Sequence, residues 1–209
     1  MACLALTEKR RIPCDGYIFP SEYYEIPGIL HFQDLEAVRN YAFEKLKKYQ
    51  GEPIDIYLNG GMSIEVLTVI QAAVKLDIKI SLYHYNREKE KYICQEVLWR
   101  PVNDDRGNTI KEADQEAVSL CQGRHWGTER KSIFSIISDE QLFDFQWQEL
   151  QAEKFLQNYE GKTAVIYLSG LTAAFVSVLN AAVKINVSII WLHYDHDTEE
   201  YFAQNMDRF

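Results

Sequence analysis

Residues 161–204, "GKTAVIYLSGLTAAFVSVLNAAVKINVSIIWLHYDHDTEEYFAQ", repeat residues 51–95, "GEPIDIYLNGGMSIEVLTVIQAAVKLDIKISLYHYNREKEKYICQ". One extra glycine in the earlier copy is the only gap. Ala72-Ala73-Val74-Lys75 meets Ala181-Ala182-Val183-Lys184, His84-Tyr85 meets His193-Tyr194, and Tyr92 and Gln95 meet Tyr201 and Gln204. Agreement over such a span reads as an internal duplication. The unit is too long and its copies too few for a solenoid. The chain must therefore fold one design twice, as two similar lobes related by approximate two-fold symmetry. It imitates a homodimer of a smaller ancestor.

Each copy can be read locally. Residues 54–58 and 164–168 are short apolar runs, sized for buried strands. Each ends in a glycine-bearing turn, Asn59-Gly60-Gly61 or Ser169-Gly170. Ser63 and Thr172 then stand where a helix N-cap is wanted. Helices are expected over 64–75 and 173–184, and strands over 78–85 and 187–194. A charged loop and a return strand over 92–97 or 201–206 complete each unit. Further helices are expected upstream, over 33–49 and 139–159. Residues 132–137 form a strand before the second of these. Residues 1–6 and 16–19 compete for the matching place in the first copy. Strands alternating with helices give an α/β fold of two Rossmann-like lobes, each a mainly parallel sheet with an antiparallel edge hairpin. The expected division is a first lobe over 1–100, a connecting segment over 101–131 and a second lobe over 132–209. Within the connection, residues 110–120 read as a helix, and its length implies that it packs on the lobes.

Composition narrows the function. In a chain of 209 residues, 47% hydrophobic and 25% charged content is ordinary for a folded protein. A net charge of −9 argues against broad binding to duplex nucleic acid. It leaves room for a local anion pocket built from backbone N–H groups and a cation or two. No segment reads as a membrane span or signal peptide, and the reading is cytoplasmic. Cys3, Cys14, Cys94 and Cys121 are scattered, without zinc-type spacing, and read as free thiols. No cofactor or metal is expected.

In open α/β sheets ligands bind beyond the carboxyl ends of the strands. Here those ends carry "NGGMS" and "SGLT". Glycine admits a close backbone approach, and a helix start offers N–H groups to an anion. The same stretches also suit ordinary strand-to-helix turns. His84 and His193 continue the apolar rows of their strands. Each is either a structural imidazole, bonded to backbone or to the glutamine of the return strand, or a ring that stacks on a base or moves a proton. Tyr92, Tyr201, Gln95 and Gln204 read as cross-strand packing and hairpin bonding. Asp195, His196 and Asp197 read as a solvated loop, since Asn86, Arg87 and Glu88 replace them in the first copy. Arg87 can serve an anion but is unmatched in the second. The basic runs Lys9-Arg10-Arg11, Arg124-His125 and Arg130-Lys131 read as surface charge able to assist a phosphate ligand. Hydrolase triads, phosphate-binding Walker loops, zinc-protease helices and the dinucleotide fingerprint are not found.

A Gly-Leu-Thr-type turn, an apolar helix, and a strand ending in His-Tyr-Asp with later Tyr and Gln resemble small proteins encoded beside type III CRISPR systems. These are similar to the CRISPR-associated Rossmann fold (CARF) group. The resemblance covers the repeated parts, under half of the chain. The first copy departs from it at Asn59-Gly60-Gly61-Met62-Ser63 and at Asn86. The resemblance implies a tandem receptor for a cyclic oligoadenylate, tetra-adenylate favoured, held across a pseudo-two-fold face. It implies a pseudo-dimer within one chain, with further homo-oligomerisation left open. Asn59, Gly60, Gly61, Ser169, Gly170 and Leu171 would meet phosphate or ribose, and Tyr85, Tyr194 and Arg87 would line the ligand. Some members are ring nucleases, which implies metal-independent attack by the ligand's own 2′-OH, with Ser63, Thr172, His84 and His193 orienting it or assisting proton transfer. A non-cleaving sponge or sensor is the near alternative, and a non-enzymatic assembly protein the alternative of another class.

Overall fold

The computed structural model describes residues 1–8, 12–20, 34–59, 63–100, 116–123, 131–195 and 197–207. The chain divides into two compact units, Met1–Val97 and Leu98–Arg208.

In the first unit, β1 (Ala2–Thr7), β2 (Gly16–Phe19), β3 (Ile54–Leu58), β4 (Ile80–Asn86) and β5 (Lys91–Glu96) form one sheet in the order β2-β1-β3-β4-β5. All neighbours pair in parallel except β4 with β5, which form an antiparallel hairpin. Helices α1 (Leu35–Leu46) and α2 (Ser63–Lys75) connect β2 to β3 and β3 to β4. In the second unit, β6 (Val118–Cys121), β7 (Ser132–Phe134), β8 (Thr163–Tyr167), β9 (Ser188–Asp195) and β10 (Glu200–Asn205) give the order β7-β6-β8-β9-β10. Helices α3 (Phe145–Leu156) and α4 (Thr172–Lys184) take the places of α1 and α2. Both units are Rossmann-like, with four parallel strands and an antiparallel edge.

Both expected candidates for the first strand are strands. Residues 16–19 match β7, and β1 matches β6. The segment expected to join the lobes therefore supplies a strand of the second sheet. This corrects the helix expected over 110–120: Val118, Ser119 and Leu120 lie in β6, buried between β7 and β8. Residues 110–115 lie outside the described residues. The second unit begins directly after Val97. The Leu98 N–H donates to Asn180 Oδ1 of α4 at 2.8 Å, and Trp99 is buried.

Local chemistry sets the element ends in the same way twice. Asp34 and Asp144 cap α1 and α3, each accepting the N–H three residues on, from Ala37 at 2.9 Å and Trp147 at 3.0 Å. The long helix expected over 139–159 is thus broken by its own cap, with a 3₁₀ turn at Gln141–Phe143 before it. At the far ends of α2 and α4, Asp77 (φ 53°) and Asn186 (φ 54°) take the left-handed conformation more usual for glycine. The N–H groups of Ile78 and Val187 then close back on the carbonyls of Ala73 and Ala182 at 2.8 and 2.9 Å.

Both crossovers of a unit advance in one direction across the sheet. Right-handed connections then put both helices on one face, where they pack on each other. That face holds the core: Ile54, Ile56, Ile80 and Leu82 under α1 and α2, and Ala164, Ile166, Ile189 and Trp191 under α3 and α4. The other face carries tyrosines. Tyr57 stacks on Tyr83 (4.5 Å between ring centroids) and meets Tyr92 edge-on (4.9 Å), and Tyr85 packs on its cross-strand partner Tyr92 (5.1 Å). Tyr167, Tyr194 and Tyr201 repeat this at 4.6 and 5.1 Å. No helix among the described residues is long and apolar enough to cross a membrane.

One side chain fastens the centre of the first sheet. Asn59, just past β3, accepts from the Thr7 backbone N–H at 3.0 Å and donates Nδ2–H to the Thr7 carbonyl. The amide takes the place of one more residue of β-pairing between β1 and β3. Removing it leaves both backbone groups of Thr7 buried and unpaired. We expect Asn59→Ala to destabilise the first unit by about 2–4 kcal/mol, read from urea melts. A loss below about 0.5 kcal/mol would show that the bond is dispensable.

Candidate functional site

The order β2-β1-β3-β4-β5 reverses direction between β1 and β3. The connections leave those two strands toward opposite edges, so a crevice opens beyond their carboxyl ends. β6 and β8 are the equivalent pair. The first crevice is bordered by Thr7 with Glu8 and by Asn59; the second by Cys121, Gln122 and Gly123 and by Ser169-Gly170-Leu171. The repeated glycine turns thus fall where an open sheet takes ligands.

The two turns differ in detail. The amide of Asn59 is directed at Thr7, within the sheet. Gly60 and Gly61 lie outside the described residues. Ser169 holds the place of Asn59 in the second unit, and its Oγ is buried with no hydrogen-bond partner. Gly170 has φ +72°, and a Cβ placed there would meet nothing within 4 Å. Leu171 is the N-cap of α4 and makes no side-chain capping bond. This corrects the expectation for Thr172 and Ser63. Each is the first helical residue, half-buried, one place inside the helix. The helix start is thus closed by a leucine, which has no oxygen to give to the first-turn N–H groups.

His84 and His193 stand beside these turns. His84 is the register partner of Leu58, directly before Asn59. Both imidazoles point to the helix-covered face and are over nine-tenths buried. His193 Nε2 lies 2.8 Å from Gln204 Oε1, and the ring stacks on Phe202 at 5.1 Å. Because an amide oxygen can only accept, that nitrogen carries the proton and Nδ1 keeps the lone pair. Gln95 of the first unit's return strand likewise interacts with His84. The glutamine of the return strand is therefore the imidazole's partner. Burial lowers both histidines to about 4, and the glutamine bonds offset this only in part. Both rings are neutral at pH 7.

Tyr85 and Tyr194 follow the histidines in sequence but face the opposite side. They are 42% and 39% exposed, each packed against the tyrosine across the hairpin. Arg87 is exposed in the β4–β5 turn. The structure therefore gathers Asn59, Ser63 and His84, and Ser169, Gly170, Leu171, Thr172 and His193, at one corner of each sheet. It sets Tyr85, Tyr194 and Arg87 apart from them. Asp195 is taken up by its own turn, accepting from Asp197 N–H at 3.0 Å and Thr198 Oγ1 at 2.7 Å. Asn86 does likewise for Lys89 N–H at 2.9 Å. His196, Lys9-Arg10-Arg11, Arg124-His125 and Arg130 lie outside the described residues. Sequence reasoning missed Thr7 and the Cys121–Gly123 corner. Their place depends on strand order, for which the repeat gives no signal because both lie outside it.

No family model matches the chain, and no curated protein matches it. Solved structures do. The Acinetobacter baumannii Cap4 SAVED/CARF-domain containing receptor with the cyclic trinucleotide 2′3′3′-cAAA is similar at 8% identity and a TM-score of 0.50, over 100% of this chain and 52% of that one. Another structure of the same receptor gives 9% and 0.49, over 98% and 49%. With 3′3′3′-cAAA it gives 9% and 0.47, over 98% and 51%. The chain spans about half the length of these receptors. At such identity the likeness is one of fold.

The buried imidazoles make stability depend on pH. Unfolded, a histidine takes up its proton near 6.5; folded, His84 and His193 do so only near 4. Between these values the unfolded chain binds more protons. Stability is fully present above about pH 6.5 and falls as pH drops toward 4, by up to about 3 kcal/mol per histidine. Denaturant midpoints at pH 7, 5.5 and 4.5 measure this. The double variant His84→Asn/His193→Asn should show a clearly shallower decline, and an unchanged slope would mean that other groups set it.

Proposed function

We propose that the chain is a receptor for a cyclic oligoadenylate, with the glycine turn of each unit meeting the ligand. The carrying observation is that a glycine-bearing stretch follows the strand at the order reversal of two sheets with the same topology. A ring of repeated nucleotides offers repeated phosphates and riboses to such a pair of turns. The solved receptor of similar fold, described with the cyclic trinucleotide 2′3′3′-cAAA, supports the ligand class.

In this reading the backbone at Gly170 and Leu171, and at Gly60 and Gly61, approaches phosphate, since glycine leaves room and the helix start favours negative charge. The Ser169 hydroxyl and the Ser63 and Thr172 hydroxyls bond phosphate or ribose oxygens. The exposed rings of Tyr85 and Tyr194 offer adenine a stacking surface, and Arg87 offers a cation.

Cleavage would be a further step. The ligand's 2′-OH would attack the adjacent phosphate; the 2′-O–P bond would form, the P–O5′ bond would break, and the 5′-oxygen would leave with a proton taken from water. Ser63 and Thr172 would orient the nucleophile, and the imidazoles of His84 and His193 would receive its proton. Binding without cleavage is the second reading. It is favoured by the burial of both imidazoles, their glutamine bonds and their low basicity, which suit a fixed support better than a proton carrier.

Melting the protein with cyclic tri-, tetra- and hexa-adenylate, without metal, tests the proposal. A saturating ring should raise the melting temperature by about 5 °C or more. Chromatography of the ligand then separates linear product from intact ring. No shift with any ring would remove the reading. Gly170→Asn tests the turn. Asparagine tolerates positive φ, so the fold should lose no more than about 1 kcal/mol. The added side chain should weaken binding at least about tenfold, roughly the effect of 1.4 kcal/mol.

A further inference from the structure

Cys3 of β1 and Cys14, just before β2, lie side by side where these strands begin. The Cys3 N–H donates to Asp15 Oδ2 at 2.8 Å, and the Asp15 N–H donates back to the Cys3 carbonyl at 2.8 Å. Cys3 Sγ is 3.9 Å from the Pro13 carbonyl, the group that precedes Cys14 in the chain, and the Cys14 thiol is close enough to Cys3 to feel it electrostatically. Two backbone bonds, a bent chain at Pro13–Asp15 and parallel pairing from Leu4–Gly16 onward thus hold the two cysteines side by side. Both residues are half-buried, so a small oxidant reaches them. Neither takes part in the candidate site, which lies at the opposite ends of these strands.

We propose that Cys3 and Cys14 form a reversible disulfide when the protein meets a peroxide. The Cys3 thiolate attacks one peroxide oxygen; an S–O bond forms, the O–O bond breaks and hydroxide leaves. The Cys14 sulfur then attacks the Cys3 sulfur. An S–S bond forms, the S–O bond breaks, and the oxygen departs as water with the Cys14 proton. Two thiols lose two electrons and two protons, and hydrogen peroxide becomes two waters. Burial, with Cys3 and Asp15 beside it, pushes the Cys14 thiol up to about 12, which suits the resolving role and not that of first attacker. The bridge closes a ring from Cys3 to Cys14 that contains Thr7, so oxidation ties down the crossover leading away from the Asn59 clamp.

The sequence supplies its own readout. Lys9, Arg10 and Arg11 lie between the two cysteines, so trypsin separates them and only a bridge rejoins the fragments. The folded protein is treated with hydrogen peroxide, remaining thiols are alkylated, and tryptic peptides are mapped by mass without reduction. We expect the peptide with Cys3 joined to that with Cys14, lighter by two hydrogens, and separated again by a thiol reductant. The Cys14→Ser protein should give no joined pair and hold Cys3 as an unresolved oxide. If exposed Cys94 is oxidised while Cys3 and Cys14 remain separate and alkylated, or if Cys3 joins Cys94 or Cys121 instead, the proposal is overturned.

Discussion

The pairing of β1 with β3, and of β6 with β8, governs the rest of the molecule. In each case two parallel strands lie adjacent while their connections run to opposite edges. The carboxyl ends of those strands therefore cannot be covered by a direct link between them. Every turn that follows is left facing a crevice, and the helix after it starts there. The Asn59 amide shows how closely the edge of that crevice is defined. It extends the β1–β3 pairing by one step and so fixes where the backbone may diverge.

Much of this was legible in the repeat. A shared pattern of apolar strand, glycine turn, buried helix, strand and return strand placed β3 to β5 and β8 to β10 to within a few residues. It did so because both copies obey the same burial pattern. β6 was missed for an opposite reason. Four buried residues between polar stretches look like the end of an amphipathic helix, and only the pairing with β7 and β8 makes them a strand. The cap at Asp144 was hidden by a continuous helical pattern around it. At the turns, glycine and hydroxyl residues were visible, but their offset by one place from the true N-cap was not, because leucine is an unexpected cap.

The histidines illustrate what residue type alone leaves open. An imidazole at the end of a strand can be catalytic or structural. The deciding facts are which face it takes and what lies across the hairpin. Alternation puts the ring toward the helices, and antiparallel register brings a glutamine to it from the return strand. Solvation then sets the chemistry: a ring without water and with one amide partner stays uncharged. The repeat thus sets a glutamine beside the buried imidazole in both copies.

The same β1–β3 pairing bears on how the chain comes to be folded. β1 has β2 soon after it in the chain, but its inner neighbour is Ile54–Leu58, separated by a helix and more. Hairpins such as β4–β5 close locally; the central pairs wait for distant chain. Until then β1 exposes an unsatisfied inner edge to any strand that passes. The arrangement that opens a crevice in the finished sheet thus also leaves the inner edge of β1 unpaired until Ile54–Leu58 has been made.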